Sequence, residues 1–181
     1  MSGSILITYA TKHGSTREVA DSLAAAVREH DLDVTTLPAA QVEDLSPYDG
    51  VVVGGSLYTG RWHPDAVDFL KRHRGALETL PFAVFAMGPR TMETHDIAQS
   101  RAQLDHALAK VAGVDPFAVT IFGGVLDPRK LRFPFNRMPA SDARDWNAVH
   151  AWADDIAQGL MYGKPAPKPR DLRSELQQTP R

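Results

Sequence analysis

Apolar positions follow two alternating rhythms along the chain. Dense short runs, Ile5-Leu6-Ile7, Val51-Val52-Val53, Phe82-Ala83-Val84-Phe85-Ala86-Met87 and Phe117-Ala118-Val119-Thr120-Ile121-Phe122, predict strands, and residues 34–37 before Pro38 predict a shorter one. Between them the spacing lengthens to that of a helix. Val19, Leu23, Ala26 and Val27 share one face, and so do Leu104, Leu108 and Val111. Val67, Phe69 and Leu70 belong to a helix that starts near His63-Pro64, and Trp146, Val149, Trp152, Ile156 and Leu160 to the last one. Ser15, with Glu18 three residues on, predicts a capping box at the first helix, and Ser141 a cap for the last. Continuous apolar strands alternating with helices predict an α/β fold around a five-stranded sheet, parallel throughout. Ligands of such sheets sit beyond the carboxyl ends of the strands, which directs attention to residues 10–16, 56–63 and 88–93.

The first of these loops, Thr11-Lys12-His13-Gly14-Ser15-Thr16, joins the first strand to its helix. Free amides and the positive end of the helix dipole converge there and favour an anion. Neither G-x-G-x-x-G nor G-x-x-x-x-G-K-[ST] is present. Hydroxyls of Thr11, Ser15 and Thr16 with backbone amides suit a terminal phosphate monoester without a metal, as in FMN; a capped helix with no ligand is the plainer alternative, and both stay open. The second loop combines Gly54, Gly55 and Gly60 with Ser56, Leu57, Tyr58, Thr59 and Trp62. Tyr58, and less strongly Trp62, offers a face for a planar ring, against the plainer reading of Trp62 as packing for the next helix. The third, Met87-Gly88-Pro89-Arg90, supplies donors; Arg90 or Arg61 near the ring would stabilise a reduced, anionic flavin, against the plainer reading, favoured for either one alone, of a solvated surface charge.

Length and composition fit one soluble domain. The chain has 181 residues, 43% hydrophobic and 23% charged. No cysteine is present, which removes disulfides, thiol catalysis and Cys-based metal sites. The seven histidines lack metal-ligand spacing, G-x-S-x-G is absent, and no catalytic side chain is assigned. Early charges argue against a signal peptide and no apolar run approaches a membrane span, so a cytoplasmic protein is expected. A net charge of −2 divides into a body of −5, residues 1–161, and a basic, proline-rich tail of +3, residues 162–181. That balance argues against nucleic acid as a partner. Residues 129–138 mix Arg129, Lys130, Arg132 and Arg137 with Leu131, Phe133, Phe135 and Met138 around Asn136. They could touch a membrane surface or an acidic partner, but a short run containing Pro134 favours apolar residues packed on the sheet edge.

Three motifs carry a family resemblance: Thr11-Lys12-His13-Gly14-Ser15-Thr16-Arg17-Glu18-Val19-Ala20, Gly55-Ser56-Leu57-Tyr58-Thr59-Gly60 with His63, and Phe122-Gly123-Gly124-Val125-Leu126 followed by Pro128-Arg129. Over residues 4–161 the chain resembles the flavodoxin-like proteins, and within them the flavodoxin-type, menaquinone-dependent protoporphyrinogen oxidases. The resemblance implies a three-layer sandwich with strand order 2-1-3-4-5. It implies FMN held by the first loop, with its ring between the second and third. It also implies electron transfer from a reduced substrate, protoporphyrinogen in that branch, to a quinone. Two departures stand out: the stretch after the fifth strand is short, and Ala10 replaces a common hydroxyl residue. The other functions consistent with the motifs are an electron carrier between redox partner proteins, and a module that has lost FMN or binds a deazaflavin.

Overall fold

A computed structural model describes residues 3–162. The elements in order are β1 (Ser4–Ala10), α1 (Ser15–Arg28), β2 (Asp33–Pro38), β3 (Gly50–Tyr58), β4 (Arg61–Trp62), α2 (Pro64–Arg72), α3 (Arg74–Leu77), β5 (Phe82–Met87), α4 (Thr94–Ala109), β6 (Ala118–Phe122), β7 (Val125–Leu126), β8 (Ser141–Asp142) and α5 (Trp146–Tyr162). The five long strands form a parallel sheet in the order β2-β1-β3-β5-β6, which is the expected 2-1-3-4-5 once the short β4 is set aside. All four pairings within these five strands are parallel, as expected; the two-residue β4 lies off this path and pairs antiparallel with the end of β3. Of the expected tail, Tyr162 is the last residue of α5, and residues 163–181 lie outside the described part.

Alternation along the strands divides the core into two layers. Ile5, Ile7, Tyr9, Val52, Ala83 and Phe85 face the layer built from α1 and α5, where Val19, Leu23, Val149, Ile156 and Leu160 pack. Leu6, Ala10, Val51, Val53, Phe82 and Val84 face the opposite layer, with Phe69 and Leu70 of α2 and Leu104 of α4. Both faces of β1, β3 and β5 are therefore covered, and their residues form near-continuous apolar runs. Thr8 is the buried polar exception on β1; its hydroxyl donates to the Leu37 carbonyl at 2.9 Å.

Two helix starts differ from the sequence expectation. Ser15 is the first residue of α1, not its cap; Gly14 holds the cap position at φ 93°, and no side chain bonds the free amides there. The capping box fails because Glu18 turns instead to Arg144, far along the chain. Ser141 lies in β8, and Asp145 caps α5 by accepting from the amides of Asn147 at 2.9 Å and Ala148 at 3.2 Å. A tight approach also fixes the centre of the sheet. A Cβ on Gly54 would lie 2.1 Å from the Phe85 ring, and that ring is locked against Phe122 and Trp152 at centroid distances of 5.6 and 6.1 Å. Gly54→Ala is therefore expected to lower the unfolding free energy in urea by about 1–3 kcal/mol, the usual cost of overpacking a core.

Candidate functional site

The carboxyl ends of β1, β3 and β5 bring the three predicted loops to one rim. There they border a cleft of about 490 Å³, walled by His13, Ser15, Leu57, Tyr58, Gly88 and Arg90 among others. A recess of about 70 Å³ shares His13, Tyr58 and Gly88 with it and adds Thr11, Lys12, Ser56 and Met87. Thr59 also borders the cleft, whereas Gly14, Thr16, Gly60 and Pro89 shape the loops without lining either space. Gly14 and Gly60 do so through left-handed backbone, at φ 93° and 77°. Arg61 is exposed on β4 and Trp62 is buried, so neither joins the cleft. The Trp62 indole donates to the Gly55 carbonyl at 3.1 Å beneath the β3–β4 turn, which corrects the expectation that it serves a ligand.

The first loop is held in shape from within and from outside. Thr11 Oγ1 accepts from the Gly14 amide at 2.9 Å. Lys130 Nζ donates to the His13 carbonyl at 2.9 Å. The Lys12 ammonium sits 4.1 Å above the centre of the Tyr58 ring, and the His13 ring meets Tyr58 edge-on at 6.4 Å. Tyr58 is 41% exposed, a large aromatic left open at the mouth of a cleft. Three buried polar atoms beside this loop have no partner among the described residues: His13 Nε2, Thr16 Oγ1 and Ser56 Oγ. Buried polar groups are ordinarily satisfied, and His13 and Ser56 both line the recess beside uncapped helix amides, an arrangement that fits a bound anion. The donor set suits a phosphate monoester, and the adjoining cleft offers Tyr58 and Leu57 to a planar ring. These residues therefore fit FMN.

The chain that follows β6 forms a fourth wall of the cleft, which sequence reasoning left unassigned to the site. Gly124, Val125, Leu126, Asp127, Arg129, Lys130, Leu131 and Arg144 all line it. Gly123 and Gly124 permit this wall: a Cβ on the first would lie 1.9 Å from the Ala143 carbonyl oxygen, and on the second 2.6 Å from that of Gly88. The Gly124 amide donates to Pro89 O at 2.8 Å, and its carbonyl accepts from the Ala143 amide at 3.0 Å, which fastens the wall to the third loop. Arg144 closes the far side. Its guanidinium forks onto Asp142, with Nε to Oδ1 at 2.9 Å, reaches Glu18 in the first turn of α1, and lies over the Trp146 ring at 4.9 Å. Arg129 forks onto Asp127 and holds that carboxyl below its usual range. The Gly-Gly pair and the basic run were visible in the sequence, but the hairpin of β7 and β8 that joins them was not. The apolar residues of that run do not pack on the sheet edge as expected: Phe133 is 70% and Phe135 55% exposed, and Arg137 lies over the Phe133 ring at 5.1 Å.

The fold is that of a flavodoxin-type protein. The chain belongs to the flavodoxin-domain family, whose model matches residues 6–138. It is distantly homologous to the protoporphyrinogen IX dehydrogenase [quinone] of Escherichia coli (strain K12), with 30% identity over 103 residues, 52% of this chain and 57% of that protein. The chain thus matches little more than half the length of that relative. The protein of the same name from Leishmania major is 22% identical over 182 residues, covering 90% of this chain and 78% of that one. Among solved structures, oxidised flavodoxin 1 from Bacillus cereus superposes with a TM-score of 0.57 at 15% identity, over 86% of this chain and 97% of its own. Rubredoxin oxygen:oxidoreductase from Desulfovibrio gigas gives 0.57 at 18% identity, over 87% of this chain and 36% of its own. Among the described residues no helix is long and apolar enough to cross a membrane.

Burial, and then the charges of Lys12 and Lys130, hold the His13 imidazole below its ordinary pKa of 6.5. The unfolded chain therefore takes up this proton more readily than the folded one. The stability linked to His13 is present above pH 6.5 and is lost as pH falls from 6.5 through the lower folded value. His13→Gln is expected to shrink the difference between urea midpoints measured at about pH 7.5 and about pH 5.

Proposed function

We propose that the chain is an FMN-dependent oxidoreductase that takes electrons from a reduced substrate of the porphyrinogen class and delivers them to a quinone. The observation that supports this best is the paired space at one rim. A small recess carries unpartnered donors and the Lys12 ammonium, and it shares His13, Tyr58 and Gly88 with a larger cleft that Lys130 borders. FMN, when bound, supplies the redox chemistry that the side chains lack. The first loop would hold its phosphate through Thr11, Lys12, His13, Gly14, Ser15 and Thr16. The second loop would meet the ring with Ser56, Leu57, Tyr58, Thr59 and Gly60, and the third with Met87, Gly88, Pro89 and Arg90. Arg90 adds positive charge to the cleft, where negative charge on a reduced ring would be stabilised. His13, held neutral, can accept or donate at Nε2 without placing a third full charge in the loop.

Likeness to the quinone-linked dehydrogenases of Escherichia coli and Leishmania major supports the substrate and acceptor classes. The fourth wall supports an enzyme over a simple carrier, since it adds side chains of this chain around the space where a substrate would meet the cofactor. Exposed Phe133 and Phe135, among Arg129, Arg132 and Arg137, support peripheral contact with a bilayer that holds a lipophilic quinone. Residues 1–161 act as one domain in this reading, with residues 162–181 as an appendage.

The purified chain is expected to bind FMN, quench its fluorescence, and oxidise protoporphyrinogen when a quinone is supplied. Tyr58→Ala should weaken FMN binding about tenfold, the scale of one aromatic stacking contact. A chain that binds no FMN overturns the reading, and FMN binding with electron transfer only to a protein partner makes it a carrier. Replacing Phe133 and Phe135 together with Ser should lower binding to anionic vesicles by about tenfold or more. Because neither ring joins the core, the same change should leave unfolding stability within about 0.5 kcal/mol.

A further inference from the structure

Of the basic residues that border the cleft from the fourth wall, two are already committed. Arg129 is forked on Asp127, and Arg144 on Asp142 and Glu18. Lys130 is different. It makes no ion pair with a carboxylate among the described residues, and its ammonium reaches across 117 positions of sequence to the His13 carbonyl. That bond uses one of the three donors of an ammonium and leaves two. Lys130 thus sets a second positive charge beside the one Lys12 brings to the same loop, and both ammonium groups act on the His13 ring. Positive charge brought to a helix start from two sides favours a dianion bound there. A second feature points the same way. Thr16 is fully buried in the first turn of α1, and its hydroxyl has no partner among the described residues.

We propose that Lys130 is a remote arm of the phosphate loop: supplied by the segment after β7, its ammonium completes the anion site with Lys12 and the start of α1, selects the phosphorylated flavin over riboflavin, and fastens the fourth wall to the occupied loop. This rests on the FMN reading for the ligand's identity, but not for its phosphate. Lys130 supplies the loop with a charged donor from outside its own segment. The wall and the cofactor site then become a single unit. A ligand with a phosphate holds residues 127–131 in place, and a ligand without one does not.

The test uses the full chain with Lys130→Gln and Lys130→Met. Glutamine can still donate to the His13 carbonyl but carries no charge; methionine keeps the length alone. Affinities for FMN and riboflavin are read from flavin fluorescence, and inorganic phosphate is titrated against the amide NMR signals of Gly14, Ser15 and Thr16. Both variants are expected to lose FMN affinity by about tenfold or more, the scale of one hydrogen bond to a charged group. Riboflavin affinity should stay as in the parent, and phosphate binding should weaken in step with FMN. Equal loss of FMN and riboflavin would make Lys130 a structural prop and overturn the proposal. An unchanged phosphate response in both variants would overturn it as well, whatever FMN does. If the parent chain binds phosphate in a Lys130-dependent way yet takes no FMN, the cofactor reading fails and the role of Lys130 stands.

Discussion

At Gly14 the backbone turns from β1 into α1 at φ 93°, and no side-chain oxygen covers the amides that follow. A helix start normally satisfies those donors with its own Ser, Thr or Asp. Here Ser15 lies one place too late, inside the helix, and Thr11 Oγ1 is occupied in shaping the loop through the Gly14 amide. The left-handed turn is open to glycine at little cost and strained for almost any other residue. The consequence is a helix end whose positive dipole and free donors sit at the rim of the sheet without internal compensation. Each other part of the cleft is arranged around that end. Tyr58 and Lys12 stand on one side, Gly88 and Arg90 on another, and the chain after β6 on the third.

That third side changes what the site can do. Gly123 and Gly124 let the backbone pass within contact of Ala143 and Gly88, so the hairpin of β7 and β8 lies directly on the third loop. Arg144 then ties the hairpin's exit to Glu18, one turn into the helix that begins at Gly14. An exposed ion pair would add little, but the Arg144 side chain is 12% exposed and its guanidinium is forked onto Asp142 as well, so its geometry is constrained. The wall is therefore fastened at both ends to the elements that carry the first and third loops. Those contacts turn an open rim into a partly enclosed chamber.

The parts of this arrangement visible in the sequence are those set by local pattern. Runs such as Val51-Val52-Val53 had to be strands covered on both faces, and the spacing of Val19, Leu23 and Val27 had to place them on one side of a helix. The loop positions followed from strand order alone. What the sequence concealed depends on partners distant along the chain. Ser15 and Glu18 have the spacing of a capping box, yet the Glu18 carboxylate accepts a charged hydrogen bond from Arg144, whose guanidinium is held in place by its fork onto Asp142. Trp62 looked like a ligand platform because its loop is rich in glycine; the antiparallel turn back onto β3 instead buries it and gives its indole the Gly55 carbonyl. Phe133 and Phe135 have the composition of a packed edge, but the hairpin carries them away from the sheet, which only the tertiary path decides.

The electrostatics of the loop carry the last step. The chain as a whole is mildly acidic, at −2, yet Lys12 and Lys130 both place positive charge on the residues around His13. Such local concentration is unfavourable unless something relieves it, and the protein relieves it only in part. His13 stays neutral, Lys12 rests on the face of Tyr58, and Lys130 leans on a carbonyl oxygen. None of these partners carries a full negative charge. An ion pair with Asp or Glu would have quenched the loop permanently, as Asp127 does for Arg129 and Asp142 for Arg144. Partial, neutral compensation keeps the ammonium groups ordered while leaving their charge available. A site built to receive a dianion and release it again needs that combination: enough restraint to hold the donors in position, and, among the described residues, no carboxylate hydrogen-bonded to Lys12 or Lys130 that the arriving phosphate would have to displace.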